Sequence, residues 1–183
     1  MRLFTAIDLP DDLVATLARV VEILRPTAKI KWSPKENLHI TTKFIGEWPE
    51  PRLEELKSVL SALGPREPIP IELRGVGYFP NPHSPRIFLA AVHAPAALAD
   101  LARETDAALE RLGIAAEKRP FSPHLTLARI KEPLPLQALL QAVAALPSTD
   151  FGAFTADRFH LYQSRLNPAG SVYTRLSDFP FRK

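Results

Sequence analysis

The chain has 183 residues, of which 46% are hydrophobic and 23% charged, and a net charge of +3. This is the balance of a folded globular protein, with enough residues for one ordinary domain or for two half-size lobes that share a core. The chain contains no cysteine, which excludes disulfides, thiolate catalysis and cysteine-based zinc sites. No apolar run is long enough to cross a bilayer, and the first residues, MRLFTAIDLPDD, lack the pattern of a signal peptide. We therefore expect a cytoplasmic protein that does not bind membranes.

The pattern of apolar residues predicts alternating strands and helices. The apolar stretch RLFTAID predicts a strand at residues 2–8, and apolar residues at every third or fourth position predict a helix at residues 12–24. Further strands are predicted at residues 38–45, 69–78, 86–93, 115–118, 122–130, 153–163 and 171–179. Further helices are predicted at residues 52–63, 95–112 and 135–146.

Two stretches of the chain share one short pattern. NLHITTKFIGE contains His39 and Thr41, and SPHLTLARI contains His124 and Thr126. Each lies in a predicted strand between two predicted helices, so the second half of the chain repeats the element order of the first. The repeat indicates an internal duplication. Because duplicated halves usually associate about a pseudo-twofold axis, we expect the two motifs to meet at a shared cleft.

Each histidine and its threonine are two positions apart, so in a strand they share one face. The residues between and beside them are apolar and can pack into the core, so an ordinary half-buried histidine would explain a single copy. Two copies among only five histidines are harder to explain in this way. Each pair offers an imidazole that exchanges protons near neutral pH and a hydroxyl that can donate a hydrogen bond to an oxyanion.

Metal binding is the competing functional interpretation of the two histidines. A zinc site normally needs a third protein ligand, and neither motif has a carboxylate or another histidine at a suitable spacing. We therefore expect no metal ion and no cofactor, and no glycine-rich loop follows the first strand to indicate dinucleotide binding. Two opposed imidazoles instead suit in-line displacement at phosphorus, in which one takes a proton from the attacking oxygen and the other gives a proton to the leaving oxygen.

Basic residues accompany both motifs. Arg129 follows His124 by five positions, so in a regular strand it would lie on the opposite face and would need a bulge or the strand end to reach a phosphate. Five other basic residues precede the motifs and fit either a solvated surface or a path for an RNA backbone: Lys29, Lys31, Lys35, Lys118 and Arg119.

The remaining histidines and several aromatic residues are assigned to packing or to the surface. We expect His83 and His93 at the surface or at a strand edge, and His160 in packing contacts. Aromatic rings could stack on a nucleobase, but burial is the expectation for each of Phe44, Trp48, Phe79 and Phe121.

The chain resembles the two-histidine phosphoesterases, and among them the RNA 2′,3′-cyclic phosphodiesterases, also known as 2′-5′ RNA ligases. The likeness extends nearly from end to end and is carried by RLFTAIDLP, NLHITTKFIGE, FPNPHSPRIFLA, RPFSPHLTLARI and LYQSRLNPAGSVYTRL. One position departs from the family pattern: Thr42 stands where an aliphatic residue is common, so this face of the strand is less apolar.

The resemblance implies a single α+β domain over residues 1–183. Its two lobes would be related by a pseudo-twofold axis, with two antiparallel sheets facing a central cleft and helices outside. It also implies that His39 is the proton donor and His124 the proton acceptor, and that Thr41, Thr126 and Arg129 bind the substrate phosphate.

The implied reaction opens the 2′,3′-cyclic phosphate at an RNA end to a 2′-phosphomonoester without a metal ion, with 2′-5′ ligation as a related reaction. Small cyclic nucleotides stay open as substrates, and a monomer is expected. The residues themselves do not decide which histidine is the acid. They also leave one alternative, a nucleotide- or RNA-binding module without turnover. The two matched pairs favour the enzyme, because a pure binder needs no acid and base.

Overall fold

The computed structural model describes residues 1–182, which contain nine strands and four α-helices. In chain order the elements are β1 (Arg2–Asp8), α1 (Asp11–Leu24), β2 (Lys31–Trp32), β3 (His39–Glu47), α2 (Leu53–Ser61), β4 (Ile69–Phe79), β5 (Ile87–His93), α3 (Ala96–Glu110), β6 (His124–Arg129), α4 (Gln137–Ala144), β7 (Asp150–Ala156), β8 (Arg158–Asn167) and β9 (Gly170–Pro180). None of these helices has the length and apolar character needed to span a membrane.

The strands pair antiparallel and form one curled sheet. Its order is β7-β4-β5-β6-β3-β1-β8-β9, and the short β2 pairs with the end of β6. Only Asp157 separates β7 from β8, although β7 is one edge of the sheet and β8 lies next to the other edge. The two edges must therefore approach each other. The predicted α+β fold with antiparallel strands around a cleft is confirmed.

The sheet divides into two four-stranded halves that meet at β3 and β6. One half is β7-β4-β5-β6 and the other is β3-β1-β8-β9. They are joined at a single paired position, Ile40 with Leu125. These two residues directly follow the two histidines of the repeated motif, so the junction lies where a pseudo-twofold axis relates the halves.

Helices cover one face of the sheet and cross between the halves. Helix α1 follows β1 but packs against β7 and α4 of the other half, and α3 follows β5 but packs against β3 and α2. The buried face of α1 consists of Leu13, Leu17, Val21 and Leu24, the spacing that predicted this helix. One hydrophobic cluster includes residues from both halves, so the cleft between them is built on a common core.

Two of the predicted strands differ from the structure: one is absent and the other is divided in two. Residues 115–118 form no strand, and the carbonyl of Ala115 instead accepts a hydrogen bond from the Lys43 ammonium at 3.0 Å. The strand predicted at residues 153–163 is divided between β7 and β8 at Asp157, whose carbonyl accepts a hydrogen bond from the Phe181 N–H at 2.8 Å. The two-residue β2 was not predicted because it is too short to show a period. The other predicted elements are confirmed, with small differences at their ends.

Candidate active site

The two histidine motifs line one cleft at the junction of the two halves. His39, Thr41, His124 and Thr126 are all half-buried there. The residue after each histidine points to the opposite face and is fully buried in the core, as the alternation of a strand requires. The cleft has a volume of about 180 Å³, and β2 and the turn between β8 and β9 complete its wall. Residues far apart in the chain are thus brought to one site.

Arg129 reaches this cleft because β6 contains a β-bulge. Two successive residues of β5 pair with Thr126 and Ala128, so Leu127 is the extra residue on β6. A bulge shifts the alternation of side chains by one position, and Arg129 consequently lines the same cleft as the two histidines. In a regular strand Arg129 would lie on the face opposite to His124, and the bulge places it on the same side instead.

An equivalent bulge lies in β3 at Thr42. Two successive residues of β1 pair with the positions on either side of Thr42. The Thr42 hydroxyl forms a 2.7 Å hydrogen bond with the hydroxyl of Thr5 in the core, so the departure from an aliphatic residue has a polar partner. Phe44 lies five positions after the first histidine, as Arg129 does after the second. Both copies of the motif have the bulge, but only the second has a cation, Arg129, at the fifth position after its histidine.

His39 is held at both ring nitrogens. Its Nδ1 lies 2.6 Å from the carbonyl oxygen of Asn37, and because a carbonyl can only accept, Nδ1 carries the hydrogen. Nε2 lies 2.9 Å from the Thr41 hydroxyl, which can donate to the neutral ring or accept from the protonated ring. The ring of Phe4 stacks on the imidazole at 4.9 Å, and the ring of Tyr173 meets it edge-on at 5.3 Å. These contacts hold the imidazole in one orientation.

His124 is held in a similar way on the other side of the junction. Its Nδ1 donates to the carbonyl oxygen of Ser122 at 2.9 Å. In both motifs the acceptor is the carbonyl two residues before the histidine, so Nε2 is the ring nitrogen left for proton transfer, and in His39 this nitrogen also shares a hydrogen bond with the Thr41 hydroxyl. The ring of Phe79 lies parallel to His124 with the ring centres 6.4 Å apart.

The charges around His39 act on its pKa in opposite directions. Burial lowers the pKa of His39, while the hydrogen bond to Asn37 and the negative charge of Asp8 raise it, and the positive charges of Arg129 and His124 lower it. The net effect favours the neutral ring, and an anion bound in the cleft would favour the protonated ring. Because Arg129 and His124 act on His39, the two halves of the site lie within electrostatic reach of each other.

A group that the sequence did not predict lies beside His39. Asp8 is the strand partner of His39 and accepts hydrogen bonds from the Tyr162 hydroxyl, at 2.6 Å, and from Arg175. Burial and the bond to Asp8 raise the pKa of Tyr162 to about 12, so the phenol stays protonated and donates. Together with Tyr173 these residues line a second cavity of about 430 Å³, which shares the wall formed by His39. Tyr162, Tyr173 and Arg175 all belong to LYQSRLNPAGSVYTRL, a stretch that carries the family resemblance but in which the sequence predicts no site residue.

The basic residues near the motifs are divided between the two cavities and the remaining surface. Lys31 lines the main cleft and Lys35 the second cavity. The other three basic residues line neither of these two cavities: Lys29, Lys118 and Arg119. Among residues 1–182 there is no group of three or more potential metal-ligating side chains.

The remaining histidines lie where the sequence placed them, but two of the aromatic residues do not. His160 is buried, and His83 and His93 are exposed. Trp48 is buried as predicted and Phe121 is half-buried. The prediction of burial is wrong for two rings, which are 46% and 38% exposed respectively: Phe44 and Phe79.

Two imidazoles that each offer Nε2, two hydroxyls and a guanidinium on one cleft define an acid–base centre suited to phosphate chemistry. The chain belongs to the 2′-5′ RNA ligase superfamily, whose family model matches residues 9–168. The family predicted from the sequence is therefore confirmed.

Two relatives named RNA 2′,3′-cyclic phosphodiesterase match nearly the whole chain, and the predicted enzyme class is confirmed at the level of this family. The protein of Methanothermobacter thermautotrophicus is 34% identical, over 98% of each chain. That of Thermus thermophilus is 39% identical, over 100% of this chain and 91% of the relative.

Solved structures share the fold over the full length of the chain. A crystal structure of a protein from Thermus thermophilus superposes with a TM-score of 0.84 and 36% identity, covering 100% of this chain and 98% of that chain. Escherichia coli LigT, complexed with 3′-AMP, superposes with a TM-score of 0.82 over the same shares of both chains and is 24% identical. These likenesses cover both halves of the curled sheet.

Proposed function

We propose that the protein hydrolyses the 2′,3′-cyclic phosphate at the end of an RNA strand to a 2′-phosphomonoester, without a metal ion. The observation that carries the proposal is the placement of two histidines, one from each half, on one cleft. In each ring Nδ1 is held by a backbone carbonyl, which leaves Nε2 for proton transfer. The names of the relatives, RNA 2′,3′-cyclic phosphodiesterase, support the same reaction.

In the proposed reaction His124 is the base and His39 the acid. Nε2 of His124 accepts a proton from water as the water oxygen attacks phosphorus. The bond between phosphorus and the ribose O3′ breaks, and O3′ takes the proton from Nε2 of protonated His39. The product carries a 2′-phosphate and a 3′-hydroxyl. An acid and a base of this kind each contribute on the order of 10²- to 10⁴-fold to the rate.

The surroundings of the two rings support this direction of proton transfer. The strand partner of His39 is Asp8, whereas the strand partner of His124 is Ala91. Although burial lowers the pKa of His39, the negative charge of Asp8 raises it, and the charge of a bound phosphate acts in the same sense as Asp8. A carboxylate beside one ring and a methyl group beside the other suit a donor and an acceptor respectively.

Three other side chains on the cleft can hold the non-bridging oxygens of the phosphate. Thr41 and Thr126 supply hydroxyl donors on the faces that carry the histidines. Arg129, brought to the cleft by the bulge in β6, supplies a charge-assisted donor whose strength grows as negative charge develops in the transition state. If an RNA 5′-hydroxyl replaced water as the nucleophile, the same groups would form a 2′-5′ linkage.

The test uses RNA that ends in a 2′,3′-cyclic phosphate, incubated with the protein in excess EDTA. We expect ring opening to a 2′-phosphate, read by mass and by resistance of the product to a 3′-specific phosphatase. His39→Ala and His124→Ala should each lower kcat by on the order of 10²- to 10⁴-fold while RNA binding survives. His83→Ala is the matched control, because His83 is exposed and lines neither the cleft nor the second cavity.

The possible outcomes separate the proposal from its alternatives. A ring that stays closed, or opens only after metal is restored, contradicts the proposed mechanism. Binding of the RNA without turnover would favour a nucleotide- or RNA-binding module on the same fold. A loss of activity in His83→Ala equal to that in the other two variants would show that the histidine changes act through folding.

A further inference from the structure

Two cations lie side by side on the wall of the cleft. Lys31 on β2 is the direct partner of Arg129 on β6. Side chains of directly paired residues project from the same face with Cβ atoms about 4.5–5.5 Å apart. Both residues are exposed and line the cleft that contains the two histidines.

No acidic side chain compensates these two charges within the described part of the chain. The ion pairs among residues 1–182 include neither Lys31 nor Arg129, and none of the residues lining the cleft is acidic. Like charges directly opposite each other on a sheet are destabilising. The pair therefore has an unfavourable repulsion that a bound anion would relieve.

The two cations lie at different places relative to the reacting phosphate. Strand β6 is flanked on one side first by β3, at Leu125, and then by β2, at Arg129. From Thr126 to Arg129 the strand advances two or three residues, roughly 7–10 Å at the usual rise per residue. Arg129 lines the cleft together with both histidines, and its positive charge lowers the pKa of His39, so we assign it to the reacting end of the cleft. Lys31 lies across the ladder from Arg129 and is not among the charges that act on His39, so we place it about one nucleotide along the cleft from the reacting phosphate.

We propose that Lys31 binds a second phosphate of the substrate, the one on the 5′ side of the terminal nucleoside. This inference rests on the proposed function and narrows its substrate class. The preferred substrate is an RNA strand or a nucleotide with a 5′-phosphate, and a nucleoside 2′,3′-cyclic phosphate without a second phosphate is a poor one. The 2′-phosphate product keeps the second phosphate, so product binding depends on Lys31 in the same way.

The first experiment measures binding and does not require turnover. Isothermal titration compares a nucleoside 2′-phosphate with the corresponding 2′,5′-bisphosphate in the unmodified protein, Lys31→Ala and Lys31→Arg. A charge-assisted contact corresponds to a roughly 10- to 100-fold gain in affinity for the bisphosphate. Lys31→Ala should lose this gain and leave the affinity for the monophosphate unchanged, and Lys31→Arg should restore most of it. Lys131→Ala is the matched control, since Lys131 is an exposed lysine near the end of β6 that does not line the cleft.

The second experiment measures kcat/KM in excess EDTA for three substrates: a nucleoside 2′,3′-cyclic phosphate, its 5′-phosphorylated form and a dinucleotide with the same cyclic end. We expect kcat/KM to be higher, by a similar factor, for the two substrates with a second phosphate than for the nucleoside 2′,3′-cyclic phosphate. Lys31→Ala should remove this preference by raising KM for these two substrates with kcat nearly unchanged. A preference for the 5′-phosphomonoester alone would identify a mononucleotide substrate, and a preference for the dinucleotide an RNA strand.

The outcomes distinguish this inference from the proposed function. If the unmodified protein turns over all three substrates equally and binds both product analogues equally, the second phosphate site does not exist, although the reaction stands. If Lys31→Ala weakens both product analogues by the same factor, Lys31 serves the reacting phosphate and the inference is wrong. If the bisphosphate preference depends on Lys31 but no ring is opened, the site exists and the proposed function fails.

Discussion

Replacement of Asp8 by asparagine tests which histidine gives the proton. Asp8→Asn preserves the shape of the side chain but removes a negative charge that raises the pKa of His39, so this pKa falls further below its usual value. If His39 is the acid, activity needs the protonated ring and is lost as the pH rises through this pKa. The alkaline limb of the kcat/KM profile therefore moves to lower pH in the variant. If His39 is the base, the acidic limb moves to lower pH instead.

The same replacement should lower stability by an amount that the contacts of Asp8 set. The carboxylate accepts a hydrogen bond from Tyr162 at 2.6 Å and another from Arg175, and Nε2 of His160 lies 3.4 Å away. A hydrogen bond to a charged group contributes roughly 1.5–3 kcal/mol. Because the Asp8 side chain is 26% exposed and an amide keeps part of these contacts, we expect a loss of about 1–2 kcal/mol. For a chain of this length, that lowers Tm by about 2–8 °C.

The assay records kcat/KM against pH with a cyclic-phosphate RNA end, together with Tm, for the unmodified protein, Asp8→Asn and Asp11→Asn. Asp11 also borders the second cavity but is not among the charges that act on His39, so Asp11→Asn should reproduce the profile of the unmodified protein. An alkaline limb that does not move in folded Asp8→Asn would refute the reasoning. Movement of the acidic limb would exchange the roles of the two histidines.

Two pairs of replacements separate chemistry from packing. Thr41→Val removes the hydroxyl 2.9 Å from Nε2 of His39 and should lower kcat by on the order of 10- to 100-fold at unchanged Tm. Thr42→Val leaves the buried Thr5 hydroxyl unpaired and should cost about 1–3 kcal/mol of stability at unchanged kcat. A loss of kcat in Thr42→Val together with a loss of stability in Thr41→Val would contradict the assigned faces of β3. Asp106→Ala removes the 2.7 Å partner of the buried Lys43 ammonium and should cost about 3–5 kcal/mol in urea unfolding. Glu117→Ala, whose side chain is 54% exposed, should cost less than about 1 kcal/mol, and equal losses would show that burial does not set the strength of these pairs.

Local patterns predicted most of the elements because they depend on neighbouring residues. The spacing of apolar residues in α1 and the apolar runs of β1 and β5 are properties of a short window of sequence. The errors lie where long-range pairing decides the structure. Residues 153–163 have continuous strand character, so the sequence predicts one strand there. The structure divides it at Asp157, because β7 pairs with β4 while β8 pairs with β1 and β9.

The sequence by itself determined which groups carry the proposed chemistry. His39 with Thr41 and His124 with Thr126 are two positions apart, and the alternation of a strand places each pair on one face wherever the strand lies. Only the tertiary structure decided how these pairs are completed. The bulge in β6 brings Arg129 to the cleft, the register of β1 against β3 places Asp8 beside His39, and β2 places Lys31 opposite Arg129. Register and bulges depend on contacts between residues distant in the chain, so no local pattern could have predicted them.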